Sequence, residues 1–329
     1  MTQPKGIYVL AEINDSQNPT SLTLELLGLG KKLASDMGTT LGAVILGSDI
    51  TAAAQSVSRC GTDEVLVLDD PVLGTYDPEV FCEVLGGLLK SRLPLILLSG
   101  HTSMGQDLLP RLACELEAAL VTDCVGLRAE GGEILFTRPV YGGNALATQK
   151  ARTETVMATV RARVGDAPAA AETAGVVTRV QAAPVAASRL EFKGREVMVF
   201  KECPLEEAPV VVSGGRGIGG EEGFAQLREL AGLLGGAVGA SRPPVDSGWA
   251  PTTCQVGITG KVVAPDIYVA VALSGSTQHL SGMGESGKIV AVNKDPDAYI
   301  FKVSDYGVVG DWKQVIPAFT TALREIIQE

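Results

Sequence analysis

The chain has 329 residues, of which 46% are hydrophobic, enough for two domains of ordinary size, each with its own core. Its 27 basic side chains stand against 38 acidic ones, a formal net charge of −11. That balance argues against a nucleic-acid binder, which needs basic patches to neutralise phosphates, and leaves room only for a local basic site around one anionic ligand.

In chain order, IYVLAEI (7–13), LGAVILG (41–47), EVLVLDD (64–70) and LPLILLSG (93–100) predict strands. Helical spacing fills 21–37, 50–60 and 77–90 between them, and 105–118 after them. Near-continuous apolar strands separated by helices indicate a parallel sheet covered on both faces. From there to about 185 the pattern becomes alternation, in EILFTRPVY, ALATQKA, TVMATVRAR and GVVTRVQ. Period-two alternation predicts added antiparallel strands with one buried face.

Alanine, proline and charge then dominate DAPAAAET, QAAPVAAS and KECPLEEAP. An N-terminal α/β domain over 1–192, a linker over 193–209 and a C-terminal doubly wound domain over 210–329 are expected. In the latter, VVVSGG (210–215), AVGAS (237–241), IYVAVALSG (267–275) and KIVAVNKD (288–295) predict strands. Helices are predicted over 222–234 and 312–327. The apolar runs are strand-length, well short of the roughly 18 residues of a membrane helix, so no direct membrane insertion is expected. The six cysteines are scattered without a C-x-x-C pair, which speaks against a metal centre. With no signal-like N-terminus, they suit a reducing cytoplasm.

Polar residues collect where the strands of the second half end. Gly215-Arg216-Gly217-Ile218-Gly219-Gly220 matches G-x-G-x-x-G between a strand and a helix, where backbone amides and the helix N-terminus suit a pyrophosphate. A nicotinamide site expects an acid after the second strand; this chain has Ala240-Ser241-Arg242. Gln255-Val256-Gly257-Ile258-Thr259-Gly260-Lys261 offers a glycine turn with a polar edge. Ser274, Gly275, Ser276, Thr277, Gln278 and His279 place hydroxyls, an amide and an imidazole at the mouth of an apolar strand, and ligands of open α/β sheets bind at such ends. Asn293 and Asp311 stand at the same edge. His101, Tyr141 and the pair Glu221 and Glu222 carry structural readings, the last as favourable charge at a helix N-terminus.

The segments VVVSGGRGIGG, VGASRPPVD, QVGITGKVVAPDIYVAVALSGSTQHLSGM, IVAVNKDPDAYIFKVSDYGVVGD and VIPAF, in that order, resemble the electron transfer flavoprotein alpha subunit; QDLLPRLACEL and TRPVYGGNALAT extend the resemblance more weakly to the first domain. The resemblance implies FAD held mainly on the C-terminal domain and a beta subunit completing a heterodimer. It implies electrons arriving from acyl-CoA dehydrogenases or other flavoenzymes, as in fatty acid beta-oxidation, and leaving to an acceptor such as a quinone-linked oxidoreductase. It also implies a carrier without substrate chemistry of its own.

Carried over by position, it implies that Arg216 and Ser241 contact FAD and that Arg242 lies near the isoalloxazine. Thr259 would bond flavin N5, within a contact segment of Gln255, Val256, Gly257 and Ile258. The residues from Ser274 through Gly275, Ser276, Thr277 and Gln278 to His279 would wrap the ring, His279 as a donor or cation near O2. Asn293, Asp311 and Trp312 would hold the adenosine end. Ile258 stands where the family usually has glutamine, and Ser276-Thr277 replaces Ala-Ile. A cation about 4 Å away at an effective dielectric of 20 interacts by roughly 4 kcal/mol, so Arg242 could shift a one-electron couple by something over 100 mV. Three other readings stay open. One is an electron-bifurcating variant of the family, needing a second flavin on the beta subunit. Another is an NADP-dependent dehydrogenase with His279 as general acid–base and Arg242 on a 2′-phosphate. The third is a nucleotide-sensing or scaffold subunit without redox chemistry.

Overall fold

The computed structural model describes residues 6–328 apart from 15, 144, 170, 172, 183–187 and 195–203. The chain divides into two compact units, one of Met1–Pro139 and Leu146–Gly194, the other of Val140–Ala145 and Arg195–Glu329. The linker expected over 193–209 falls mostly outside the described residues.

In the first unit a seven-stranded sheet runs in the order Val176–Arg179, Glu64–Asp69, Leu41–Gly47, Ile7–Ala11, Ile96–Gly100, Val156–Val160, Ala119–Cys124, and its paired strands are parallel. Helix Ser21–Met37 starts on Thr20, whose hydroxyl accepts from the Thr23 amide, and stops at Gly38 in the left-handed region at φ 62°. Helix Pro78–Ser91 begins with the proline whose missing N–H costs nothing there, and the Asp77 carboxylate caps the amides of Glu79 and Val80. Two apolar clusters cover the two faces of the sheet, one containing Ile7, Leu27 and Phe136, the other Leu10, Leu85 and Leu109.

Two expectations are corrected here. The segments TVMATVRAR and GVVTRVQ contribute strands Val156–Val160 and Val176–Arg179, which join the parallel sheet instead of forming antiparallel additions. Val156–Val160 is buried along its whole length; its alternating threonine misled because the Thr159 hydroxyl is satisfied inside. It accepts from the Asp123 amide at 3.0 Å and is bonded to His101 Nδ1 at 2.8 Å. Strand Ala119–Cys124 escaped the sequence pattern, since Asp123 at φ 63° interrupts it with a bulge. The antiparallel addition is Gly126–Glu130 with Glu133–Val140, beside Ala145–Lys150 in a three-stranded sheet.

The second unit carries a five-stranded parallel sheet in the order Ala237–Ala240, Val210–Gly214, Ile267–Val271, Lys288–Asn293, Tyr306–Val309. Helices Glu221–Leu233 and Trp312–Gln328 cover one face, where Phe224, Leu227, Trp312 and Ile316 pack on Val212, Val269 and Val271. Tyr268, Ala270, Met283 and Ile300 lie on the other face, beneath short turns. Asn293, Lys294 and Asp295 end the fourth strand as expected, whereas 299–309 splits into the turn Tyr299–Lys302 and the last strand.

Thr159→Val tests the buried polar bridge of the first unit. Stripped of its acceptor, the Asp123 amide should cost about 1–3 kcal/mol of stability in urea unfolding followed by circular dichroism. An unchanged midpoint would mean that neither His101 nor Asp123 depends on the hydroxyl.

Candidate functional site

Strand Val210–Gly214 lies where the strand order reverses, with Ala237–Ala240 on one side and Ile267–Val271 on the other. The two outgoing loops diverge there and open a crevice at the carboxyl edge. Their divergence begins from a close approach of two backbones. Gly215 donates its amide to the Val271 carbonyl at 2.9 Å, and a Cβ on Gly215 would lie 2.1 Å from the Ala272 oxygen. Ala272 itself sits at φ 52°. A side chain on Gly215 would therefore wedge the switch point apart.

Past that contact the turn opens. Cβ atoms placed on Gly219, at φ 84°, or on Gly220 would meet nothing within 4 Å. Gly220 is also the N-cap of helix Glu221–Leu233 and supplies no side-chain cap, so the first-turn amides have no capping side chain and a positive helix end behind them. Arg216 is exposed beside it. Trp312 braces the turn from below: its indole Nε1 donates to the Gly217 carbonyl at 3.0 Å, and its ring leaves no room for a side chain at Gly223.

The other strand ends add polar groups at this edge. Ser241 is buried, its amide on the Gly214 carbonyl at 3.1 Å. Arg242 opens the short helix Arg242–Asp246 with its side chain 64% exposed, paired to Asp246 at 3.3 Å. Gln255 donates its side-chain amide to the Thr259 hydroxyl at 3.0 Å, which fixes that oxygen as acceptor and leaves its proton to be given elsewhere. Thr259 and Ile258 are exposed, whereas Gln255, Val256 and Gly257 are buried. Ser274, Ser276, Thr277 and Gln278 are exposed on either side of Gly275, whose φ of 81° and contact with the Ile300 amide exclude any other residue.

Several residues expected to touch a ligand are occupied by the protein. Asn293 gives its side-chain amide to the Leu273 carbonyl at 2.8 Å and accepts from the Asp295 amide at 3.0 Å. The Trp312 indole is committed as above, whereas Asp311 is exposed and uses one carboxylate oxygen to accept from the Lys313 amide at the start of the last helix. These three shape the edge through backbone partners.

His279 differs most from its expected role. The ring is buried, with Nδ1 3.1 Å from the Val256 carbonyl oxygen and Nε2 2.8 Å from the Tyr268 hydroxyl. A carbonyl can only accept, so Nδ1 carries the proton, Nε2 accepts, and Tyr268 donates. Neither nitrogen is left to donate to flavin O2. Burial pushes the imidazole down to about 4, against a smaller opposite pull from the Val256 carbonyl, so the ring is neutral near pH 7 and is no cation either. Tyr268 was absent from the sequence-derived site. The signal was present: a single hydroxyl inside the uncharged strand IYVAVAL.

The doubly wound unit, with an open glycine turn at a helix N-terminus and exposed polar side chains after the first three strands in the sheet order, defines a protein that binds a nucleotide cofactor. Residues 7–185 match the family model of the electron transfer flavoprotein domain, and residues 204–284 match that of the electron transfer flavoprotein FAD-binding domain. The chain is 40% identical to the electron transfer flavoprotein subunit alpha of Thermoanaerobacterium thermosaccharolyticum, over 99% of this chain and 100% of that protein. It is 37% identical to the subunit of the same name from Bacillus subtilis, over 98% of both. Identity to Protein FixB of Clostridium saccharobutylicum is 39%, over 98% of this chain and 97% of that one. The chain belongs to the electron transfer flavoprotein alpha-subunit family. Its cofactor is FAD, and it carries electrons instead of acting as an enzyme. The residues present fit that group: the clear space over Gly219 and Gly220 suits a pyrophosphate, and the uncommitted Thr259 proton suits a ring acceptor.

The buried histidine makes a pH prediction. The native state holds the ring near 4, whereas the unfolded chain protonates it near the ordinary 6.5. Its contribution is therefore fully present above pH 6.5 and is lost as pH falls from there to about 4, by about 3 kcal/mol. Comparing His279→Gln with the parent in urea titrations across that window isolates this group from the carboxylates. The variant should show a shallower loss, and parallel curves would contradict the assigned protonation.

Proposed function

We propose that this chain is the FAD-binding alpha subunit of a heterodimeric electron transfer flavoprotein. It receives electrons from acyl-CoA dehydrogenases or other flavoenzymes and passes them to an acceptor such as a quinone-linked oxidoreductase. The carrying observation is the carboxyl edge of the second unit, where all five strand ends deliver the turns and loops just described around one switch point. FAD, when bound, supplies the redox chemistry, and the protein supplies orientation and electrostatics.

In this reading the amides after Gly219 hold the pyrophosphate, with Arg216 beside them. Thr259 presents its proton to flavin N5, held in direction by Gln255. Arg242 provides positive charge near the ring, and Ser241 shapes the turn that aims it. Ser274, Ser276, Thr277 and Gln278 line the ring and ribityl region over Gly275. His279, Asn293, Asp311 and Trp312 fix these loops from behind.

A beta subunit as the closing partner is supported by apolar surface on this unit. Tyr306 and Val309 are 63% and 59% exposed on an edge strand, and Ile326 and Ile327 are exposed on the last helix. No helix among the described residues is long and apolar enough to cross a membrane, in keeping with a cytoplasmic carrier. The NADP-dependent dehydrogenase reading loses its general acid–base, because both nitrogens of His279 are held by Tyr268 and Val256.

Co-expression with an electron transfer flavoprotein beta subunit should yield a yellow heterodimer with one FAD, and a colourless heterodimer would overturn the proposal. Arg242→Ala in that complex should keep FAD and lower the flavin potential. The Coulomb range of about 1 kcal/mol in water-like surroundings to about 4 kcal/mol at an effective dielectric of 20 corresponds to roughly 40–170 mV for one electron. Its exposure in this chain favours the lower end until a partner covers it. Loss of FAD with an unchanged potential in the remaining flavin would make Arg242 an anchor only.

A further inference from the structure

We infer that Tyr268 is a positioning residue of the cofactor site: its phenol commits His279 to clamping the strap 255–263 onto the turn 276–282. This rests on the FAD reading for its consequence, though the clamp itself is built from protein groups alone.

Tyr268 is fully buried on the third strand segment of the sheet, Ile267–Val271, and reaches the imidazole edge-on, with ring centroids 6.0 Å apart. Its hydroxyl is 2.8 Å from Nε2. Donation from Tyr268 occupies the Nε2 lone pair and so keeps the proton on Nδ1, 3.1 Å from the Val256 carbonyl. The histidine belongs to the turn Thr277–Leu280 and the carbonyl to the strap. One side chain thus ties two loops together, and a strand residue in the core sets which way its dipole points.

The tie has a close-fitting surface to act on. The Ile258 amide donates to the Gln278 carbonyl at 2.8 Å, and the Val263 amide to the Gly282 carbonyl at 2.8 Å. Cβ atoms on Gly257 or Gly282 would fall 2.7 Å from the Gln278 oxygen and 2.4 Å from the Gly257 nitrogen. Backbone lies on backbone here, and Thr259 rides at the exposed tip of the strap. Moving the strap moves the Thr259 hydroxyl, which accepts from Gln255 and keeps its own proton to give. A histidine without Tyr268 could place its proton on either nitrogen, and the Nε2–H form would turn a lone pair against the Val256 oxygen and push the strap away.

The chain has two histidines, His101 and His279, so histidine-selective nitrogen-15 labelling of this chain, reconstituted with its partner and FAD, resolves the ring directly. The expected spectrum has a protonated Nδ1 and an unprotonated Nε2 for His279. In Tyr268→Phe the tautomers should mix, the Ile258 amide should exchange roughly fivefold faster, the fold-change of one hydrogen bond, and FAD should dissociate correspondingly faster. A protonated Nε2 in the parent, or a Tyr268→Phe protein with the parent's tautomer and Ile258 exchange, overturns the inference. Should Tyr268→Phe not fold, His279→Gln and His279→Leu decide. Glutamine keeps a donor for Val256 and an acceptor for Tyr268, so it should preserve Ile258 protection where leucine loses it; equal protection in both refutes the clamp. If the parent binds no FAD, the flavin reading fails, while the tautomer and exchange results still judge the clamp.

Discussion

The contact of Gly215 with Ala272 is the constraint on which the second unit depends. At that point the strand order reverses, so two loops must leave adjacent strands in opposite directions from backbones already touching. Glycine solves the problem by removing Cβ, and Ala272 solves its half by taking a positive φ. Everything that follows is geometry: the turn can open only beyond Gly217, and it opens directly onto the start of helix Glu221–Leu233. A helix end freed of side-chain caps is then the natural seat for an anion. The pyrophosphate end of the site thus follows from how a parallel sheet must reverse.

The rest of the edge is built in two layers with different chemistry. The outer layer is exposed and has capacity to spare: Arg216, Arg242, Thr259 and the residues around Gly275 keep donors or charge turned outward. The inner layer is committed to the protein. Trp312 holds the Gly217 carbonyl, Asn293 holds Leu273, and His279 holds Val256 while itself held by Tyr268. Each of these groups has a partner, so it fixes the outer layer without the cost of an unpaired polar group. A carrier benefits from rigidity of this kind, because an electrostatic contribution to a flavin potential is only as constant as the positions of its charges.

Apolar runs and glycine placement made most of the fold legible in the sequence. Strands Leu41–Gly47 and Val210–Gly214 and helices Ser21–Met37 and Glu221–Leu233 are readable because each carries a local signal. Val156–Val160 was misread because its Thr159 looks like a solvent-facing residue until the partners His101 and Asp123, distant in sequence, are seen to occupy its hydroxyl. The candidate residues can be named from the sequence, but not the partners each takes within the protein. Residue type and position say that His279 lies at the edge; whether its nitrogens face a ligand or the protein depends on Tyr268 eleven positions earlier and on Val256 in another loop. Periodicity does not encode such pairings.

The most direct test of this account is an experimental structure of the FAD-loaded heterodimer. It should show the pyrophosphate over the amides following Gly219, the ring between Arg242, Thr259 and the loop at Ser274, and His279 still bonded to Tyr268 and Val256 behind that loop. FAD seated elsewhere on the chain, or lying along the same edge with its two ends exchanged, would contradict it.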